Sequence, residues 1–226
     1  MSQIKTIMNN WKEERKKIKI CGITSLEDAR FASGALADYL GFVFFKGSKR
    51  TIEPAKAGAI INWLEGPETV GVFVDEPLDS MNEIARLSGV DWVQLHGRET
   101  PDYCRLAEKP VMKAIHVRDG MTARDLEEVT EPYLQVAQLL LFDTASEREW
   151  GGTGRSFEWS LLAEIDWPLP VIVAGGIGPD NLERAFRESG AQTVDLSSSV
   201  ESSPGVKDFD KLTEVMDRMR AFWEEE

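Results

Sequence analysis

One closed (β/α)8 barrel, a TIM barrel of the α/β class, is the fold this chain predicts. Short apolar runs alternate with helical patterns eight times. The runs are rich in Val, Ile, Leu and Phe, as strands buried on both faces are. The length, 226 residues, is ordinary for a one-domain barrel.

Strands are expected over 17–21, 39–45, 69–74, 90–95, 110–116, 138–143, 170–174 and 193–196. Helices are expected over 25–36, 54–64, 79–88, 99–107, 122–130, 157–164, 179–189 and 208–222. Thr24 or Ser25 can cap the first helix, with Glu27 and Asp28 near its positive end. Pro54 opens the second, where a missing N–H costs little. Gly89 stops the third. Pro179 and Asp180 open the seventh, Leu182, Ala185 and Phe186 form its apolar stripe, and Gly190 ends it. An open doubly wound sheet is the rival fold. It wants a glycine-rich turn directly after its first strand, and here that position reads Cys21-Gly22-Ile23. Residues 1–16 read as a polar N-terminal extension and residues 17–226 as the barrel.

The formal net charge of −13 argues against nucleic-acid binding, which relies on clustered Lys and Arg. No apolar run is long enough to span a membrane. The segment Lys12-Glu13-Glu14-Arg15-Lys16 and the lack of a long apolar core argue against a signal peptide, so a cytoplasmic location is expected. Cys21 and Cys104 make no disulfide framework, and there is no Cys-x-x-Cys pair. With only His96 and His116 to supply imidazole, no His-rich metal site is expected.

A barrel places its chemistry at the C-terminal ends of its strands. Those ends carry Cys21, Lys49-Arg50, Asp75, His96, Asp143, Gly175-Gly176 and Ser197-Ser198. Strands one and six lie on separate parts of the ring, so Cys21 and Asp143 can approach one substrate from opposite sides. One group can take a carbon-bound proton while the other protonates an oxygen. From ordinary values of about 8.5 and about 3.9, the base needs a lowered thiol pKa and the acid a raised carboxyl pKa. A buried cysteine also serves as a small core residue, and a strand-end aspartate as a loop anchor. Gly151-Gly152-Thr153-Gly154, Gly175-Gly176 and Ser197-Ser198-Ser199 follow strands six, seven and eight. Phosphate held by loops seven and eight is common in barrels, and the glycines, among them Gly152 and Gly154, permit close backbone approach. Arg50 suits a substrate carboxylate through its planar fork, or belongs to a solvent-facing basic turn. His96 either touches substrate or anchors its loop through Gln94 or Asp91. Trp92, Trp159 and Trp167 read as packing residues.

The ordered motifs carry a resemblance. They are Lys19-Ile20-Cys21-Gly22-Ile23, Ser48-Lys49-Arg50, Val70-Gly71-Val72-Phe73, Gln94-Leu95-His96-Gly97 and Asp143, then Gly151-Gly152-Thr153-Gly154 and Phe157-Glu158-Trp159. Ala174-Gly175-Gly176-Ile177 with Asn181, Asp195-Leu196-Ser197-Ser198-Ser199-Val200-Glu201 and Gly205-Val206-Lys207-Asp208 complete them. From about Ile18 to Leu212 the chain resembles the phosphoribosylanthranilate isomerase family of tryptophan biosynthesis. The resemblance implies an Amadori rearrangement of N-(5-phosphoribosyl)anthranilate, with Asp143 as general acid at the ring oxygen and Cys21 as general base at sugar carbon 2. It further implies Arg50 on the anthranilate carboxylate and loops seven and eight on the phosphate. The chemistry moves only protons, so no cofactor or metal is expected. The expected partner is a small phosphorylated substrate, and the expected assembly a monomer or homodimer. Where the family commonly has Ser-Gly-Val-Glu, this chain has Ser198-Ser199-Val200-Glu201. If that position needs positive φ, Ser199 strains the phosphate nest; if not, the change is harmless. Two alternatives are a relaxed isomerase that also accepts the related histidine-pathway sugar phosphate, and a non-catalytic phosphate-binding barrel. An intact Cys21, Asp143 and Arg50 argue against the second.

Overall fold

The computed structural model describes Trp11, residues 15–144 and residues 157–225. Eight parallel strands close into a barrel in sequence order: β1 (Lys17–Cys21), β2 (Tyr39–Val43), β3 (Glu68–Phe73), β4 (Trp92–Leu95), β5 (Val111–Val117), β6 (Leu139–Thr144), β7 (Val171–Val173) and β8 (Thr193–Leu196). β8 pairs back onto β1, with Lys19 opposite Asp195. The connecting helices are α1 (Leu26–Gly34), α2 (Pro54–Ile61), α3 (Leu78–Ser88), α4 (Pro101–Arg105), α5 (Ala123–Thr130), α6 (Ser160–Ala163) and α7 (Leu182–Ser189), and α8 (Phe209–Glu225) closes the ring.

Alternation along each strand divides the core into two parts. In β6, Leu140 and Phe142 point outward into the large cluster under the helices. Leu139 and Leu141 point inward and meet Tyr39, Val70, Met112, Ala114, Ile172 and Ala174 inside the barrel. The same alternation puts Asp143 on the inner face at the strand's end. In β1 it puts Lys19 and Cys21 on the inner face, and Ile18 and Ile20 outside.

The local start and stop signs operate as chemistry dictates. The Ser25 side chain accepts from the Asp28 N–H and caps α1. Pro54 occupies the first turn of α2, and Gly89 ends α3 in the left-handed region. Several expected helices are shorter in the structure. The segment 99–107 is helical only over Pro101–Arg105, and 157–164 only over Ser160–Ala163. The segment 179–189 divides into a 3₁₀ turn, Pro179–Asn181, followed by α7. The Asn181 side chain causes the division: it accepts from the Gly178 N–H at 2.8 Å and donates to the Gly176 carbonyl at 2.9 Å. Beyond β8 lies a small antiparallel hairpin, β9 (Glu201–Ser203) with β10 (Val206–Lys207). Strands of three and two residues carry no readable periodicity, so nothing in the hydrophobic pattern foretells them. The proposed extension over 1–16 lies almost wholly outside the described residues. Among the described residues no helix is long and apolar enough to cross a membrane.

Candidate active site

Cys21 ends β1 facing inward and is nearly buried, against Val43 and Val72. The neighbouring strand makes room for its sulfur. A Cβ added at Gly41 would stand 2.7 Å from Sγ. One inward step deeper on β1, Lys19 is fully buried and its Nζ lies 2.7 Å from Asp195 Oδ2. Burial pushes the Cys21 thiol above its ordinary pKa, and the Lys19 ammonium only partly opposes this. The lowered value expected of a base is therefore not what this structure shows, because desolvation outweighs the nearby cation. Burial also pushes Asp195 up, against the pull of Lys19.

Asp143 stands at the end of β6, across the barrel mouth. Its Oδ1 accepts the Thr144 N–H at 2.8 Å, and its Oδ2 lies 3.3 Å from His96 Nε2. His96 Nδ1 meets Gln94 Nε2 at 2.9 Å. Of the two anchors considered for His96, Gln94 is the one used. Asp91 instead accepts from the Thr69 N–H and hydroxyl. His116 lies edge-on to His96 and bonds through Nε2 to its carbonyl at 2.8 Å. Burial and the adjacent His96 ring hold His116 below the usual imidazole value.

Arg50 enters from the loop after β2 and lies against Gly22, where a Cβ would meet its Cδ at 2.7 Å. Its Nε donates toward both oxygens of Glu201, at 3.0 and 3.1 Å, and its Nη2 toward Oε2 at 2.8 Å. Buried Lys207 donates to Glu201 Oε1 at 3.0 Å, to the Cys21 carbonyl at 2.6 Å and to the Ser197 carbonyl at 3.3 Å. Burial presses the Glu201 carboxyl up, but Arg50 and Lys207 together outweigh it and hold the group below the ordinary value. The hairpin thus ties the Arg50 loop, the end of β1 and the turn after β8 into one clamp.

Gly175 and Gly176 have φ of 91° and 67°, a conformation natural to glycine. A Cβ on Gly175 would meet Thr144 Oγ1 at 2.5 Å and Asp143 Oδ1 at 2.8 Å. The bare backbone here lets the loop after β7 lie against the carboxylate. Opposite it, Ser198–Val200 form a 3₁₀ turn. Ser199 is absent from the left-handed region, so the departure from glycine brings no backbone strain. Its Oγ is shielded from solvent without a hydrogen-bond partner among the described residues.

These groups surround one cavity of about 440 Å³, an ordinary size for a small-molecule site. Its lining includes Cys21, Arg50, His96, Asp143, Gly175, Gly176, Ser197, Ser198 and Ser199, together with Ser48, Gln94 and Asp195. Gly152 and Gly154 lie outside the described residues. Asp75 is not in the lining. Its Oδ1 accepts the Arg98 N–H at 2.5 Å, which joins the loops after β3 and β4. The three tryptophans lie away from the cavity, and Trp159 and Trp167 are buried in the outer core. Sequence reasoning overlooked the roles of Lys19, Glu201 and Lys207. A charged Lys19 inside an apolar strand was a readable sign; the Glu201–Lys207 clamp, built on the hairpin, was not.

A thiol, a carboxylate and a glycine–serine nest at the C-terminal mouth define a (β/α)8-barrel enzyme for a small anionic substrate. Comparison with known proteins narrows the class. Residues 18–218 match the family described as N-(5'phosphoribosyl)anthranilate (PRA) isomerase. An N-(5'-phosphoribosyl)anthranilate isomerase of Trichlorobacter lovleyi is 46% identical over 202 residues, covering 88% of this chain and 96% of the relative. The crystal structure of phosphoribosyl anthranilate isomerase from Thermotoga maritima is 34% identical, covers 91% of this chain and 99% of its own, and superposes with a TM-score of 0.82. A phosphoribosyl anthranilate isomerase in complex with reduced 1-(o-carboxyphenylamino)-1-deoxyribulose 5-phosphate is 35% identical with a TM-score of 0.79, over 91% of this chain and 99% of its own. The chain belongs to the N-(5'-phosphoribosyl)anthranilate isomerase family.

Proposed function

We propose that the chain converts N-(5-phosphoribosyl)anthranilate to 1-(2-carboxyphenylamino)-1-deoxyribulose 5-phosphate by an Amadori rearrangement. The observation that carries the assignment of roles is the placement of Cys21 and Asp143 on opposite strands around one cavity, with the glycine–serine nest beside them. Asp143 gives a proton to the furanose ring oxygen, and the ring opens to a Schiff base. Cys21, as thiolate, takes the proton from sugar carbon 2, and the enolamine tautomerises to the ketone. His96, 3.3 Å from Asp143, is placed to resupply the proton that Asp143 gives up. The loops of Gly175-Gly176 and Ser197-Ser198-Ser199 hold the phosphate, chiefly through backbone N–H groups.

Arg50 receives the anthranilate carboxylate. Glu201 holds the Nε–Nη2 edge of Arg50 and so orders the side chain at the cavity wall, and the substrate carboxylate would meet the guanidinium's other edge. A cytoplasmic setting belongs to the same reading, since a thiolate base must stay reduced. The test is an assay with freshly prepared phosphoribosylanthranilate. Its fluorescence should decay much faster with the protein than without it, and equal decay would refute the activity.

A further inference from the structure

Two buried charges take no part in the proton transfers above. Lys19 and Asp195 face each other across β1 and β8, inside the barrel and directly below Cys21. We propose that Lys19 is the positioning residue that makes a Cys21 thiolate available, and that Asp195 sets how much of its charge the thiol feels. The inference rests on Cys21 being the base.

Stability does not explain the pair. The inner layer around it is apolar, formed by Val70, Met112, Leu141 and Ile172. In such a setting a well-packed apolar pair is often as stable as an ion pair, or more stable. Alternation along β1 puts Lys19 and Cys21 on the same inner face two residues apart, so the Lys19 ammonium, held at 2.7 Å by Asp195, lies one inward step beneath the thiol. Burial opposes the charge on Lys19, but Asp195 and Cys21 more than offset it, and the ammonium stays firmly protonated.

The charged groups facing Cys21 are Lys19 on its own strand, Asp195 on β8 and Lys207 on β10. Lys207 has three N–H donors, and the Cys21 carbonyl, the Ser197 carbonyl and Glu201 receive them. That leaves Lys19, whose hydrogen bond is to Asp195, as the nearby cation not spent on backbone carbonyls. Asp195 shares that cation through Oδ2 only. Its Oδ1 is buried without a partner among the described residues, so the poorly solvated aspartate leans on Lys19 and competes with the thiol for its charge. The proton balance is simple. The thiol proton leaves through the cavity mouth to solvent, and the thiolate takes the carbon-2 proton and becomes a thiol again. The ketone then forms at carbon 2, where the hydroxyl gives up a proton that offsets the one Asp143 donated, and carbon 1 takes a proton from solvent. Lys19 keeps its own proton throughout.

The experiment follows thiolate ultraviolet absorbance against pH without substrate, in a Cys104→Ala background where Cys21 is the only thiol. Lys19→Met should move the ionisation midpoint up by about one pH unit or more, the usual effect of removing a close opposite charge. Asp195→Asn should move it down, because Lys19 then has no competing anion. A merely structural pair would not shift the midpoint in opposite directions. In the isomerase assay, Lys19→Met should lose turnover near neutral pH and regain part of it in alkali. If Lys19→Met fails to fold, the double variant Lys19→Met/Asp195→Asn serves instead, and its midpoint should lie above that of Asp195→Asn. An unchanged midpoint in Lys19→Met, equal midpoints in the double variant and Asp195→Asn, or shifts in the same direction in both single variants would overturn the proposal. A native chain without isomerase activity would instead refute the functional reading, and the substrate-free titration would still decide the role of Lys19.

Discussion

At the inner ends of β1, β4 and β6, and at Asp195 within β8, the polar groups are side chains held by other side chains. Lys19 holds Asp195, and Gln94 holds His96, which holds Asp143. In the loops after β7 and β8 the walls are glycine backbone and a serine turn, and one hydroxyl lacks any partner among the described residues. The difference matches what the proposed reaction asks of each part. Proton transfer needs groups whose pKa and direction are fixed, which takes partners and burial. Binding a dianion needs many neutral donors that approach closely, which takes absent side chains. Substitutions should therefore fail differently on the two sides.

The largest effect tests the side-chain face. Cys21→Ser and Asp143→Asn should each reduce turnover by at least about a hundredfold, the scale expected for a positioned acid or base. Both proteins should keep a native circular dichroism spectrum and still bind a product analogue. Near-native turnover in either would remove that residue from the chemistry.

Next comes the clamp that joins the two faces. Glu201→Gln removes the charge that Arg50 and Lys207 share, and should cost roughly 2 kcal/mol in denaturant unfolding. The pH dependence has a definite sign. The folded Glu201 carboxyl is held below its ordinary value, so the unfolded chain binds its proton more readily. Its stabilising contribution is present above the ordinary carboxylate range and fades as pH falls through the lowered folded value. Melting temperature should thus fall more steeply in acid for the native chain than for Glu201→Gln. Parallel curves would mean that the clamp does not depend on the carboxylate charge.

The contrast also explains what could be read from the chain. The strands were legible because each is a short run of apolar residues bounded by turn chemistry, and Cys21, His96 and Asp143 were legible because each ends such a run. Barrel topology then brought them together without further information. Glu201 and Lys207 were opaque for a physical reason. Their function arises from a hairpin too short to show a period, and from contacts with Arg50 about 150 residues away in sequence. The Asn181 latch was hidden likewise, because a side chain that replaces a helical hydrogen bond looks like an ordinary helical residue.

A smaller effect should appear where the two faces touch. Gly175→Ala asks a non-glycine residue to adopt a φ of 91°, and places its Cβ against Asp143 and Thr144. The strain should cost roughly 1–3 kcal/mol. Because the loop lies on the Asp143 carboxylate, turnover should fall together with affinity for phosphate-bearing ligands. Loss of affinity alone would show that the phosphate loop and Asp143 move independently.

The smallest effect belongs to Ser199. Its backbone is not in the left-handed region, so Ser199→Gly has no strain to relieve. Glycine should instead add freedom to the unfolded chain and lower stability by less than about 1 kcal/mol. The Ser199 side chain also backs onto Gly178, where an added Cβ would lie 3.0 Å from Ser199 Cβ, so removing it leaves the two loops less tightly packed. Its Oγ has no partner among the described residues. A buried hydroxyl with no acceptor is costly unless a ligand oxygen completes it. Affinity for inorganic phosphate, measured by calorimetry, should therefore drop several-fold in Ser199→Gly while the unfolding curve hardly moves. A gain in stability with unchanged phosphate affinity would mean that the serine is a tolerated strain after all and no part of the nest.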